Sequence, residues 1–319
     1  MTVPPDLGRS IRLPAVCAPM IGVSSPALVT AACKAGIMAG LPRHNAASLE
    51  QFEAWLRGIR LALDRYRDEA PGARVGPLAV NLSGATPPDE IKRELALCRR
   101  YGVDIVISAR GDPTELAKQV HDGGGRIFHD VTSHRFAEKA IEARVDGITC
   151  IAAGGGGHAG IISPFALVPQ IRDVFDGTIL LGGAISTGGG IRAAEALGAD
   201  LAYLGTRFIA TTEANADERY KAMIVDGRAD DVIFSTAING VGANWLAASL
   251  RDAGLDPASL PRSPGRGDYS HLPPDKRPWR DLWSAGHGIA SITAIESVAK
   301  AVDRLVAEYE AACALPAFA

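Results

Sequence analysis

No run of about 18 apolar residues occurs anywhere in the chain, so a membrane-spanning helix is not expected. Cysteine is scarce and scattered: five residues, at 17, 33, 98, 150 and 313, with no Cys-x-x-Cys pair. Such a set argues against a disulfide framework, and no Cys/His spacing suits zinc; all five read as small buried hydrophobes. An excess of charge of one sign is also missing. Lys and Arg total 33 against 36 Asp and Glu, a formal net charge of −3, which gives no electrostatic ground for nucleic acid as partner. Met1 to Arg12 has Pro4-Pro5 and charged residues in place of an apolar signal core, which points to the cytoplasm. Gly-x-x-x-x-Gly-Lys-Ser/Thr, His-Glu-x-x-His and Gly-x-Ser-x-Gly are all absent, removing the common triphosphatase, zinc-protease and hydrolase-elbow chemistries.

What remains is an ordinary globular composition over 319 residues, 47% hydrophobic and 22% charged, long enough for a large core. From Leu13 to Arg207 a rhythm repeats: a short apolar run, a loop, then an amphipathic stretch. The runs are Pro14 to Pro19, Gly36 to Leu41, Val75 to Asn81, Val103 to Ser108, Arg126 to His129, Gly147 to Ala152, Thr178 to Gly183 and Leu201 to Leu204. Each has the length of a strand buried on both faces. Helical segments lie between them, as at 48–67, 87–100, 133–143 and 188–197. Ser48 with Gln51, Ser133 with Glu138, and Ser163 before Pro164 read as helix starts. An open doubly wound sheet gives the same local pattern, but eight alternations suit a closed (β/α)8 barrel.

The tail breaks the rhythm. Residues 226–256 are mixed and read as helical around Trp245 to Arg251. Pro257 to Pro278 holds six prolines and reads as an irregular excursion, and Ile289 to Glu310 as a last amphipathic helix. The expected organisation is an α/β barrel core over 1–225, a cap or lid over 226–285, and a closing helical segment over 286–319.

Two loops carry the chemistry. Gly154-Gly155-Gly156-Gly157-His158-Ala159-Gly160 follows the sixth run. Its glycines let the backbone approach a flat ligand, and an imidazole at a barrel mouth can act as a base near neutral pH. The second feature is Gly182-Gly183-Ala184 with Gly205-Thr206-Arg207, at the ends of runs seven and eight. Loop amides there suit a phosphate. Arg207 reads equally as a phosphate ligand or a core-edge ion pair. Gly155/Gly157/Gly160 and Gly188/Gly190/Ala193 also match loose dinucleotide patterns, but neither lies in the first βα unit. His121, His129, His134 and His271 read as structural.

Ala18-Pro19-Met20 ending the first strand, Asn81 ending the third, Gly-Gly-His-x-Gly at 156–160 and Gly-Thr-Arg-Phe at 205–208 together resemble the nitronate monooxygenase family. A fainter likeness continues at 240–246 and 284–288. The resemblance implies FMN in a (β/α)8 barrel. Ala18, Pro19, Met20, Asn81, Gly156 and Gly157 would then line the flavin, and Gly182, Gly183, Ala184, Gly205 and Thr206 would hold its phosphate. His158 matches the family's catalytic histidine, implied to take the α-proton of a nitroalkane or to orient a nitronate, with oxygen completing the conversion to a carbonyl compound and nitrite. The chain departs from the family at several positions. Ile151 stands for a usual polar residue, Gly154 for a side chain, Thr187 for Asp, Ala184 for a second Gly and His287 for Gln. Asp130 occupies a place where some relatives have Lys beside the flavin.

Three functions follow as expectations. The first is FMN-dependent oxidation of nitronates or nitroalkanes with His158 as general base. The second is an FMN-dependent reductase or dehydrogenase of unsaturated thioesters or carbonyls, or an NAD(P)H:quinone reductase, on the same barrel. The third is a barrel that merely binds a phosphate ligand. Small molecules are the expected partners, NAD(P)H is admitted as reductant, and a homodimer is left open.

Overall fold

The computed structural model describes residues 3–316. Eight parallel strands close into a barrel: β1 (Ala15–Cys17), β2 (Met38–Pro42), β3 (Leu78–Ser83), β4 (Ile105–Ala109), β5 (Arg126–Val131), β6 (Gly147–Ile151), β8 (Thr178–Gly182) and β9 (Leu201–Leu204). Closure is explicit, since Ala15, Val16 and Cys17 pair with Ala202, Tyr203 and Leu204. A short β7 (Gly157–His158) leaves the barrel and joins β10 (Val232–Ser235) and β11 (Ala243–Leu246) in a separate three-stranded sheet, ordered β10-β11-β7.

Helices α1 (Pro5–Ser10), α2 (Pro26–Lys34), α3 (Leu49–Glu69), α4 (Pro88–Arg100), α5 (Thr114–Asp122), α6 (His134–Glu142), α7 (Pro164–Arg172) and α8 (Gly188–Ala196) lie in the barrel region. They are followed by α9 (Thr206–Ile209), α10 (Glu218–Asp226), α11 (Ala247–Asp252) and α12 (Val298–Cys313). Alternation along the strands creates two cores. Val106, Ile127, Ile148 and Ile179 point outward to the helices, while Ile105, Ile107, Phe128, Leu180 and Tyr203 fill the interior. Leu7 and Ile11 join the interior set. Arg126, opening β5, pairs with Asp6 at 2.7 Å. Helix α1 therefore closes the amino end of the barrel, leaving the carboxyl end for a ligand.

Ser48 caps α3, its Oγ accepting from Gln51 N at 3.2 Å. Ser133 precedes α6 without a side-chain capping bond, contrary to expectation. The tail differs more. Trp245 lies on β11, and helix α11 begins only after it. The last helix starts at Val298, nine residues later than its apolar periodicity suggested, because Ser297 caps it and residues 287–291 form a 3-10 turn. Four cysteines are buried as expected, but Cys313 is exposed at the end of α12. Around Trp245 a separate apolar cluster forms from Ile238, Leu250, Leu255, Leu272 and Leu282, with Trp279 packed against it. No helix among the described residues is long and apolar enough to cross a membrane.

Candidate active site

A cavity of about 410 Å³ opens at the carboxyl end of the barrel. Ala18, Pro19 and Met20 after β1, Asn81 in β3, Gly156, Gly157 and His158, Gly182, Gly183 and Ala184, and Gly205 and Thr206 all line it. Residues drawn from five barrel strands and the loops that follow them thus converge, as parallel βα units require. Asn81 is held in place by donating from Nδ2 to Ile107 O at 3.1 Å.

The glycine loop is closely packed. A Cβ on Gly156 would stand 3.0 Å from Gly286 N and 3.2 Å from Thr206 Oγ1, and Gly183 adopts φ +146° with Ala153 O 3.0 Å from where its Cβ would be. Gly286 N donates to Thr206 Oγ1 at 2.8 Å, which leaves the Thr206 hydroxyl proton available to a ligand. One expected phosphate donor is already engaged. The Ala184 amide donates to Gly154 O at 3.1 Å, and the adjacent left-handed backbone (φ 56°) explains that turn. Arg207 is likewise an internal residue, 1% exposed and paired with Glu296, which also binds Arg304. It does not line the cavity.

Three buried oxygens in or beside the cavity lack a partner: Asp130 Oδ1, Thr149 Oγ1 and Ser186 Oγ. Buried polar atoms are normally hydrogen-bonded, so such a group in a cavity marks a place for a ligand. Asp130 and Thr149 sit side by side in the β5–β6 pairing. Ser186 lies two residues beyond Ala184, on the expected phosphate side. Burial pushes the Asp130 carboxyl up to about 7, and the neighbouring Thr149 hydroxyl moderates the rise. Tyr203 lines the same wall, its phenol raised by burial first and by the charge of Asp130 second.

His158 reaches the cavity from β7, which pairs with β11 at Ala243. Asn244 of β11, 1% exposed, fixes the glycine loop by donating from Nδ2 to Gly155 O at 2.6 Å. The His158 ring lies 5.1 Å from the Trp279 ring, which in turn lies 4.6 Å from Trp245. Asn239 Nδ2 stands 3.0 Å from His158 Nε2. Burial, then the charges of Arg110 and Arg266, lower the imidazole pKa to about 4, so it is neutral at physiological pH. Both arginines line the cavity mouth.

Asn239, Ser186, Tyr203, Trp279, Arg110 and Arg266 escaped the reading of the sequence. Only Ser186, beside a motif already singled out, had a local signal. Of the other histidines, His44 lines the cavity, its pKa lowered by burial and then by the charges of Arg43 and Arg110, while His121 pairs with Asp146 at 2.9 Å, His129 with Ser108 at 2.7 Å and His134 with Glu138 at 3.6 Å. His271 differs, with neither ring nitrogen partnered. His287 is exposed and outside the cavity lining.

Comparison with known proteins decides the family. Residues 61–308 match the family model described as nitronate monooxygenase. The chain belongs to the nitronate monooxygenase family. A nitronate monooxygenase of Paraburkholderia phytofirmans is 30% identical over 284 residues, 78% of this chain and 77% of that protein. A Mycobacterium tuberculosis protein named as a hydroxy-methyl-oxo-octahydroindene-carboxyl-CoA dehydrogenase is 23% identical, covering 75% of this chain and 64% of its own length. The structure of nitroalkane oxidase from Streptomyces ansochromogenes superposes with a TM-score of 0.73 over 95% of this chain and 97% of that one, at 24% identity, and shows the shared fold. Family membership makes the chain an oxidoreductase.

Proposed function

We propose that this nitronate monooxygenase family member is an FMN-dependent enzyme that oxidises alkyl nitronates and nitroalkanes with O2 to a carbonyl compound and nitrite. One observation carries the reading: unpartnered oxygens at Asp130–Thr149 and at Ser186 in or beside a glycine-walled cavity, with a neutral imidazole in its lining. The donor set fits a flavin ring toward Asp130 and a phosphate toward Ser186. Ala18, Pro19, Met20, Asn81, Gly156 and Gly157 would flank the ring. Gly182, Gly183, Gly205, Thr206 and Ser186 would hold the phosphate, with Ala184 shaping the turn. Bound there, FMN would supply the redox chemistry between the substrate carbon and oxygen. His158 would bind the substrate's nitro group, either removing the α-proton of a nitroalkane as general base or orienting a nitronate. Residues 226–285 would act as the lid, 286–319 would complete the barrel, and the cytoplasm would be the site of action.

Nitrite release from ethyl nitronate in air tests this. The FMN-loaded protein produces nitrite, and His158→Ala keeps FMN while losing about 10²-fold or more in turnover, the usual scale for one acid–base or oxyanion group. No nitrite from any nitronate would overturn the reading.

A second reading has its own support. Among the described residues neither Arg110 nor Arg266, both lining the cavity, forms an ion pair with a carboxylate, and the Mycobacterium relative is named for a CoA thioester. Arginines in that position suit the phosphates of a thioester carrier. Rapid anaerobic bleaching by NAD(P)H, reversed by an enoyl thioester, would favour it.

A further inference from the structure

Asn239 is 4% exposed, in the loop between β10 and β11, and its amide is oriented by two contacts. Val241 N donates to Asn239 Oδ1 at 3.1 Å, which fixes the oxygen on that side. Turning the amide over would set its NH2 against the Val241 N–H, two donors facing each other. The NH2 must therefore be the group 3.0 Å from His158 Nε2. An amide NH2 only donates, so Nε2 must accept, and an accepting nitrogen carries no proton. The one proton of the neutral ring is then on Nδ1. Among the described residues no group bonds Nδ1, and it is not among the buried unpartnered atoms.

We propose that Asn239 is a positioning residue that locks His158 in the Nδ1–H tautomer. The histidine thereby presents a hydrogen-bond donor to the substrate and favours one that arrives already ionised over a nitroalkane whose α-proton it would have to take. The charged groups at the mouth act in the same sense: Arg110 after β4 and Arg266 from the excursion both oppose a second proton on the ring. A neutral imidazole whose lone pair is engaged is a poor base for the α-proton of a nitroalkane. Its N–H still binds the negative oxygen of a nitronate, for which no proton needs removing. The substrate part of this inference rests on the nitronate reading; the tautomer does not.

The test uses imidazole nitrogen-15 NMR on the full chain, with and without FMN. The wild type should show His158 with a protonated Nδ1 and a bare Nε2 at pH 7, and Asn239→Ala should shift the ring toward the Nε2–H form. A protonated Nε2 in the wild type, or an identical pattern in Asn239→Ala, would overturn the lock. Asn239→Asp provides a second arm of nearly the same shape. Its carboxylate accepts from Nε2–H and frees the Nδ1 lone pair, so the ratio of nitroethane to ethyl nitronate turnover should rise at least tenfold. An unchanged ratio, with both substrates turned over, would overturn the donor role. If no substrate gave nitrite while the spectra were as expected, the tautomer would stand and the nitronate reading would fall.

Discussion

Asp130 is the residue whose environment most conflicts with its charge. Set in the wall of the cavity at the carboxyl end of the barrel with Oδ1 unpartnered, its carboxyl is pushed up by burial to about 7, against 3.8 for the free side chain. A carboxyl whose folded pKa lies above its unfolded value favours the fold only while protonated. Its contribution is full below about pH 4 and is lost as pH rises through 7. Asp130→Asn should therefore raise the melting temperature of the cofactor-free protein at pH 8 and leave it nearly unchanged at pH 4. Equal shifts at both pH values would show that the carboxyl is not buried as described. Thr206 offers a second residue-scale test. Thr206→Val leaves the buried Gly286 N–H without its acceptor and should cost about 1–3 kcal/mol in denaturant unfolding.

At the scale of elements, the site joins two sheets. The barrel supplies the floor, while β7, pulled out of the barrel rhythm by its pairing with β11, supplies His158. Gly183 at the end of β8 must have φ +146° with Ala153 O against its missing side chain, so Gly183→Val should give a folded protein that fails to retain FMN. Retained flavin would contradict the cradle. Trp279→Ala, which removes the ring beside His158, should speed amide hydrogen exchange in β7 and β11 more than in β1 to β6. The barrel strands were legible because each is a buried apolar run between turn signals, such as Val103 to Ser108. The small sheet was not. Ala243, Asn244, Trp245 and Leu246 look equally suited to helix or strand, and only their distant partners on β7 and β10 decide. The glycine loops were legible through composition; Asn239, 81 residues from His158, was not, since nothing local links it to the imidazole.

Across the whole molecule, one end is sealed and the other open. Helix α1 plugs the amino end, and α12 packs on α8 so closely that a Cβ on Gly188 would fall 2.2 Å from Tyr309 N. The carboxyl end keeps its 410 Å³ cavity, bordered by the Trp279 segment. A ligand bound there to the native state alone should stabilise the entire fold, by about 2.7 kcal/mol at a hundredfold excess over its Kd. The most direct measurement is an anaerobic titration of the protein with FMN, followed by ethyl nitronate, read by visible absorbance. One FMN should bind per chain, with a perturbed spectrum that bleaches on adding the nitronate. A spectrum that stays that of free FMN at all protein concentrations would contradict the account.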